Sequence, residues 1–588
     1  MVRIIPYSTL LYAWTYNYIL IIIIRRNMKK NIFKTGLMVI AMAAAASCSG
    51  YLDEDLKSSL APDNTYTSSM GFETGCNGLY SIARSEYNTW GESGAYMHGA
   101  ACAYEALQIA TDIVDQNGAK DGSLTPFADL TLTAATKFVG SYWNWAYNLI
   151  ASANEIMIYA DKNTNWDYPE DKQIAIATAR FFRAYAYRTL VYLYGDVPWV
   201  ETIENPFKLS FTRTPKVEVL GHVIDDFTFA AENLPTNPDK VKTGKLTCWA
   251  AYHLLSEMYN FRGHLTKENA NFEEAAKCAL KVIDSKYFAL NTARFGASKN
   301  EKGDAFSDMF QENNQNRTSG NTESIWVMQF EYQTVGGGTN SDDWTRRAWN
   351  PQYFAINGFA LADSLGGRGL AQISPMKWWI GTKNTSATQV AGAKEGGIFE
   401  DGDMRNSKYN IKRDWYYNNP LVPASLGKKS EITDKTWSTG QLFPALTKFF
   451  FGKSDNLQLT GSYKDRMKCR LGETYLHLAE AYLGMGDAAK AAEALNVIRK
   501  RAKVRNLEAS EVTVDELLDE RIREMVGEES RKFTLVRMGA DVYVNRVKKY
   551  NPSIADQIDE HFALWPVPQE IRDANRGSEF PQNPGYGE

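Results

Sequence analysis

Signatures of the common enzyme classes are missing from this chain of 588 residues. It has no HExxH, GxSxG or P-loop motif and no complete EF-hand loop. The six histidines show no metal-ligand spacing, and adjacent carboxylates such as Asp342 and Asp343 seldom flank one glycosidic bond. The triplet Asp401-Gly402-Asp403 is predicted to be a turn rather than a calcium site. These absences favour a protein that is not an enzyme, with no catalytic residue, metal ligand or cofactor.

Cysteine is scarce, and positive charge is not in excess. The six cysteines form no CxxC pair and no regular framework, and a chain of this length does not need disulfides. Five of them are therefore predicted to be buried or incidental thiols, whereas Cys48 stands apart. The formal charge of −4 argues against a nucleic-acid partner, because such a protein needs a basic face.

An export signal is present near the amino terminus. From Met28 the chain reads MKKNIFKTGLMVIAMAAAASC, with three lysines, an apolar stretch over residues 36–46 and small residues up to Cys48. This pattern resembles a bacterial lipoprotein signal, in which the cysteine is acylated and becomes the first residue. Ala45 stands where such signals usually carry leucine. We expect lipidation at Cys48; the alternative is an ordinary secretory signal with a stray cysteine.

The flanks of this signal suggest how the chain is divided. Residues 1–27 are interpreted as a mis-assigned upstream extension, with translation starting at Met28. The alternative is an extra membrane anchor, but the apolar run in these residues is short for a membrane span. The predicted organisation is then a signal at 28–47, a polar tether at 48–64, an amino-terminal helical part at 65–286, a loop-rich ligand-binding insertion at 287–465, and a carboxy-terminal helical part at 466–588.

Helical periodicity dominates outside the insertion. Residues 173–200 are apolar on two sides and end at Gly195 and Pro198, which predicts a helix buried between neighbours. Two segments, residues 246–285 and 475–502, share the order of small and aromatic residues that is typical of a tetratricopeptide repeat. Further helices are predicted at residues 71–85, 100–114, 140–161, 215–233 and 514–528. The fold class is therefore mainly α.

The insertion has a different composition. It is rich in glycine, asparagine, serine and aromatics, and six of the 15 tryptophans lie in residues 341–440. Residues 323–332, ESIWVMQFEY, are predicted to form a strand. Aromatic residues are thus concentrated where regular structure is weakest.

Five sequence blocks, taken in order, resemble the SusD/RagB family of surface glycan-binding lipoproteins of Bacteroidetes-type bacteria. The blocks are FFRAYAYRTLVYLYGDVPWV, ESIW, AEAYLGMGD…IRKRA, ERIREMVGEESRKFTLVRMG and LWPVPQEI…QNPGY. The resemblance implies a SusD-like fold with four tetratricopeptide-like helix pairs and a loop-rich subdomain that carries the ligand. It also implies an outer-membrane location and a SusC-like, TonB-dependent transporter as the partner.

Candidate ligand contacts are aromatic residues in loops, since sugars stack their C–H faces on aromatic rings and bond their hydroxyls to polar groups. Core packing is the alternative for each, and none is carried over from the family. The predicted ligand-binding residues are Asn88, Trp90, Tyr96, Trp344, Arg346, Trp349, Tyr353 and Trp378.

Two other function classes stay open at this point. One is a helical-repeat lipoprotein scaffold, or a peptide-binding lid for a transporter with non-glycan cargo. The other is a secreted glycan-active enzyme, which the missing acid pair disfavours. We expect non-catalytic binding of an oligosaccharide or polysaccharide nutrient.

Overall fold

Helices of eight or more residues carry most of the regular structure in the computed structural model, which describes residues 62–87, 102–115, 122–202, 210–331, 343–452 and 456–587. Among these residues no helix is both long and apolar enough to cross a membrane. The long helices are α1 (Ser69–Arg84), α2 (Lys137–Lys162), α3 (Pro169–Tyr194), α4 (Lys216–Asn233), α5 (Cys248–Thr266), α6 (Asn269–Ile283), α7 (Leu471–Gly484), α8 (Ala488–Ala502), α9 (Val514–Met525), α10 (Arg531–Met538) and α11 (Ala540–Tyr550).

Helix α3 is buried on all sides over its second half, as its two apolar sides predict. Pro169 occupies its first turn, where a missing N–H costs nothing. Gly195 ends it with a positive φ of 70°, a conformation that glycine adopts without strain. The predicted core helix and its stop are confirmed.

Consecutive helices pack as pairs, and the stacking continues from α6 onto α7 although the whole insertion separates them in sequence. Phe272 of α6 lies where α5, α6 and α7 meet. A Cβ added to Gly263 or Gly484 would stand 2.8 or 2.5 Å from the Phe272 ring, so glycine is required for this close approach. The predicted repeat-like helix pairs are confirmed, and the structure is mainly α.

The insertion contains only short elements among its described residues. Its longest strand, β2 (Ser324–Met328), pairs antiparallel with β8 (Arg466–Arg470), which leads directly into α7. The predicted strand is therefore confirmed, and it joins the insertion to the repeats. The other strands are two-residue pairs: β1 (Val114–Asp115) with β3 (Ser374–Pro375), β4 (Ile411–Lys412) with β7 (Ala445–Leu446), and β5 (Trp415–Tyr416) with β6 (Lys429–Ser430).

The helix predicted over residues 100–114 is wrong. The described part of this segment forms a short 3₁₀ turn, Ala103–Leu107, and then strand β1. Tertiary contacts overrule its helical spacing. The carbonyl oxygen of Asp112 accepts a hydrogen bond from Trp378 Nε1 at 2.6 Å, and that of Ile113 accepts one from Trp379 Nε1 at 2.7 Å. An α-helix would use these carbonyls internally.

The second half of the charged helix α9, from Glu520 to Met525, is buried rather than exposed on the surface. Glu524 is fully buried, and its carboxylate accepts hydrogen bonds from Arg470 Nη1 at 2.6 Å, from Arg405 Nη1 at 3.2 Å and from Arg501. Burial alone would raise the pKa of Glu524, but the guanidinium groups hold it below its usual range. Arg405 belongs to the insertion and Arg470 and Arg501 to the second helical part, so one carboxylate joins both.

We expect Glu524→Gln to destabilise the protein by about 3–5 kcal/mol, because it removes a buried negative charge that three buried guanidinium groups share. Chemical denaturation of the purified mature chain measures the change. Glu274→Gln is the matched control, since the Glu274–Lys277 pair is exposed and such surface pairs contribute little to stability. Equal stability of Glu524→Gln and wild type would show that the network does not hold the fold together.

Candidate functional site

Among the predicted ligand residues that the structure describes, Trp344 alone remains partly accessible, at the start of the helical turn Thr345–Trp349. The preceding residue, Asp343, is buried. Its carboxylate accepts hydrogen bonds from Thr345 N at 2.7 Å and from Arg466 Nη1 at 2.9 Å. The Asp343 backbone also pairs with Ser462 in both directions. The half-buried ring of Trp344 is therefore held on a rigid support.

A cation covers part of this ring. The guanidinium carbon of Arg347 lies 4.4 Å from the centroid of Trp344, within the range of a cation–π contact. Arg347 is half-buried, and its Nη1 lies 3.4 Å from Thr460 Oγ1. An aromatic ring beside a guanidinium group and a hydroxyl offers both the stacking face and the hydrogen-bond partners that a sugar needs.

Asn88, Trp90 and Tyr96 lie outside the described residues, as does Cys48. The residue before this segment, Tyr87, is described, and its carbonyl oxygen accepts a hydrogen bond from the backbone N–H of Trp344 at 3.1 Å. Tyr87 and Trp344 therefore lie side by side, although about 250 residues separate them in sequence.

Two other predicted contacts on the same stretch are buried. Arg346 is 1% exposed and donates to the carbonyl oxygens of Leu459 at 2.6 Å and Thr460 at 3.3 Å, so it supports a neighbouring loop. Trp349 is 1% exposed and stacks on Phe449 with ring centroids 5.5 Å apart. In this conformation neither offers a free face to a ligand.

Tyr353 and Trp378 also belong to the core. The Tyr353 hydroxyl bonds with the backbone of Ala362, and its ring packs 5.5 Å from that of Trp415. Trp378 stacks on Tyr550 of α11 at 3.7 Å and bonds the Asp112 carbonyl, as described above. Trp344 therefore differs from the other tryptophans of the insertion. They are buried in the core of the subdomain, whereas Trp344 lies at the edge of that core.

The structure brings together two histidines and a glutamate that the spacing of histidines in the sequence did not predict. His253 of α5 and His477 of α7 flank Glu473, and their ligand atoms lie within 4.8 Å of one another. Burial opposes protonation of His253, but Cys469 and Glu473 raise its pKa to about 10, whereas burial lowers the pKa of His477 to about 3. Within the cluster, His253 Nε2 lies 3.3 Å and His477 Nε2 lies 3.7 Å from the Glu473 carboxylate. The two helices are over 200 residues apart in sequence, so only the packing reveals it.

The predicted buried thiols and the predicted turn at Asp401 both fall on residues that the structure describes. The five described cysteines, at 76, 102, 248, 278 and 469, are free and buried, which confirms the predicted thiols. The triplet beginning at Asp401 forms a turn through Gly402, whose φ is 84°. Asp403 then holds Arg405 at 2.9 Å through both carboxylate oxygens. Its carboxylate is occupied by that arginine.

Comparison with known proteins gives a consistent result. A family model described as "SusD family" matches residues 322–586, and one described as "Starch-binding associating with outer membrane" matches residues 91–260. The chain is 24% identical over 537 residues to SusD-like protein P25 of Formosa agariphila, covering 85% of this chain and 89% of that protein. It is 23% identical to SusD-like protein P2 of the same organism, covering 93% and 98%.

Solved structures show the same architecture. Surface glycan-binding protein A from Bacteroides fluxus superposes with a TM-score of 0.63 at 19% identity, covering 88% of this chain and 99% of that one. A laminarin-binding SusD-like protein gives a TM-score of 0.62 at 18% identity, covering 88% and 100%. The helix pairs and the loop-rich insertion thus define a SusD-like helical-repeat protein. The chain belongs to the SusD/RagB family.

Because Trp349 is buried and Trp344 is half-buried, replacing them by alanine should lower the free energy of unfolding by different amounts. We expect Trp349→Ala to lower the free energy of unfolding by about 3–5 kcal/mol, because it empties a packed site against Phe449. Trp344→Ala should cost roughly 1 kcal/mol, since its ring is only half-buried. Thermal and chemical denaturation of both variants measures this contrast. Similar losses at the two positions would mean that Trp344 is a core residue as well.

Proposed function

We propose that this protein binds an oligosaccharide or polysaccharide nutrient at the cell surface without breaking it and delivers it to a TonB-dependent outer-membrane transporter. The observation that carries the proposal is the half-buried Trp344 ring with Arg347 beside it, fixed to Tyr87 at the root of the segment that contains Trp90. The family supports the proposal, and two structurally similar proteins are named for binding glycans.

The ligand platform consists of two parts in this proposal. Trp344 and Arg347 form the described part, and Asn88, Trp90 and Tyr96 are retained as contacts from the adjoining segment. Stacking on aromatic rings needs little sequence context, so weak contacts add along a polymer. A rigid helical-repeat scaffold suits this task because it holds the loops in place while leaving their outer faces free.

The platform should bind glycan and release it intact. Isothermal titration calorimetry of the mature chain against starch, laminarin, dextran, xylan, polygalacturonate and dextran sulfate identifies a ligand, and chromatography after long incubation checks for shorter products. Trp344→Ala should weaken binding of that ligand roughly tenfold, since losing one stacking partner costs on the order of 1 kcal/mol.

The control for this experiment is Trp249→Ala, which removes a half-buried tryptophan of α5 on the repeat scaffold and should leave affinity unchanged. Turnover that disappears on mutating one carboxylate would make the protein an enzyme. Binding of peptides in place of every glycan would favour a non-glycan cargo. Unchanged affinity of Trp344→Ala would locate the ligand elsewhere.

Lipid attachment at Cys48 would retain the platform at the outer membrane. Several acyl chains on one cysteine are enough for stable anchoring, whereas a single chain binds only marginally. We expect Cys48→Ala to move the protein from the membrane fraction to the soluble fraction in cell fractionation. Cys278→Ala is the matched control, because that thiol is buried in α6 and should leave the protein in the membrane. Membrane retention of Cys48→Ala would require another anchor.

A further inference from the structure

A second concave region lies in the insertion, beside the two-residue strands β4 and β5. It encloses about 510 Å³, which is within the usual size of a small-ligand site. Four cationic side chains line it: Lys383, Lys408, Lys412 and Arg413. We call it the basic pocket. The chain as a whole carries a formal charge of −4, so this positive charge is local.

The four cations of the basic pocket share one lining carboxylate, Asp414, whose charge only partly offsets the effect of burial on the pKa values of Lys412 and Arg413. Within the described part of the chain none of the four forms a salt bridge. Asp414 is the carboxylate on the pocket wall, and it is engaged by Lys429 at 3.2 Å. Positive charge gathered in a concavity focuses the field and attracts an anion.

Arg413 forms the buried floor of the pocket. It is 7% exposed, and its Nη2 donates to the carbonyl oxygen of Ile380 at 2.8 Å and to Asn406 Oδ1 at 2.7 Å. Its Nε is buried and has no hydrogen-bond partner. Burial lowers the pKa of Arg413 to about 10 and lowers that of Lys412 below its usual value. Removing cations from water without a compensating charge is costly, and a bound anion would offset that cost.

An aromatic face adjoins these charges. Tyr416 lines the same pocket and is 51% exposed, although its strand neighbour Trp415 is fully buried. An exposed ring beside unpaired cations matches the two chemical features of an acidic sugar, an apolar C–H face and a negative substituent.

We propose that the basic pocket binds the anionic group of an acidic sugar unit, a uronate carboxylate or a sulfate ester, so that the glycan taken by this protein is an acidic polysaccharide. This inference rests on the proposed glycan-binding function and specifies the class of its ligand. Lys408 and Lys412 meet the anionic group at the rim, Arg413 faces it from below, and Tyr416 stacks on the ring.

The double variant Lys408→Gln/Lys412→Gln tests the pocket in the intact mature chain. Its affinity for polygalacturonate, dextran sulfate or both should fall at least tenfold, while affinity for any neutral glycan of the panel stays unchanged. The matched control is Lys435→Gln/Lys500→Gln, which removes the same charge from two exposed lysines outside the pocket. Binding of the acidic polymer should also weaken as salt is raised. The two polymers distinguish a carboxylate from a sulfate ligand.

The remaining outcomes overturn the inference in distinguishable ways. An equal loss in the control variant would show attraction to overall charge rather than to the pocket. Wild-type binding of neutral glycans alone would refute the inference and leave the proposed function intact. Wild-type protein that binds no glycan, neutral or acidic, would refute both. Thermal melts of each variant show whether a loss of affinity comes from unfolding.

Discussion

A buried network of arginine–carboxylate pairs around α9 is the constraint on which the rest of the structure depends. Glu520 and Glu524 each hold several guanidinium groups, and these come from distant parts of the chain, Arg405 in the insertion and Arg470 at the end of β8. A single arginine, Arg405, contacts the carboxylates of Glu520, Glu524 and Asp403. A buried charge without its partner costs several kcal/mol, so these segments must be positioned together. The network therefore couples an irregular insertion to a regular helical scaffold.

A second set of pairs extends the same principle to the amino-terminal half. Asp112 is fully buried and is held by Arg531 at 2.7 Å and Arg546 at 2.9 Å, which lower its pKa to about 2 against the opposing effect of burial. Its own carbonyl accepts the indole N–H of Trp378. One residue thereby connects α10 and α11 with the tryptophan core of the insertion. This arrangement explains why Trp378 is structural.

The rigid core leaves two different surfaces for recognition. Trp344 and Arg347 are positioned by Asp343 and Tyr87. Arg466 of β8 contacts both of these residues: its Nη1 donates a hydrogen bond to Asp343, and its guanidinium group lies over the ring of Tyr87. Asn406 lines the basic pocket, follows Arg405 in sequence and accepts a hydrogen bond from Arg413, so the floor of the pocket is linked to the same ion pairs. Both surfaces owe their fixed geometry to buried charge rather than to long helices of their own.

Sequence periodicity alone determined helices α1 to α9, the repeat-like pairing and the strand at Ser324–Met328, because spacing of apolar and small residues reports local geometry directly. Helices α10 and α11 were not predicted. The tertiary structure decided which aromatic residues are accessible: Trp349 and Trp378 have the same loop-like sequence context as Trp344, yet only packing against Phe449 and Tyr550 buries them. It also placed the charged helix α9 in the core and overruled the helix expected before Val114. Burial, charge pairing and the meeting of distant segments depend on contacts far apart in the chain, which no local pattern encodes.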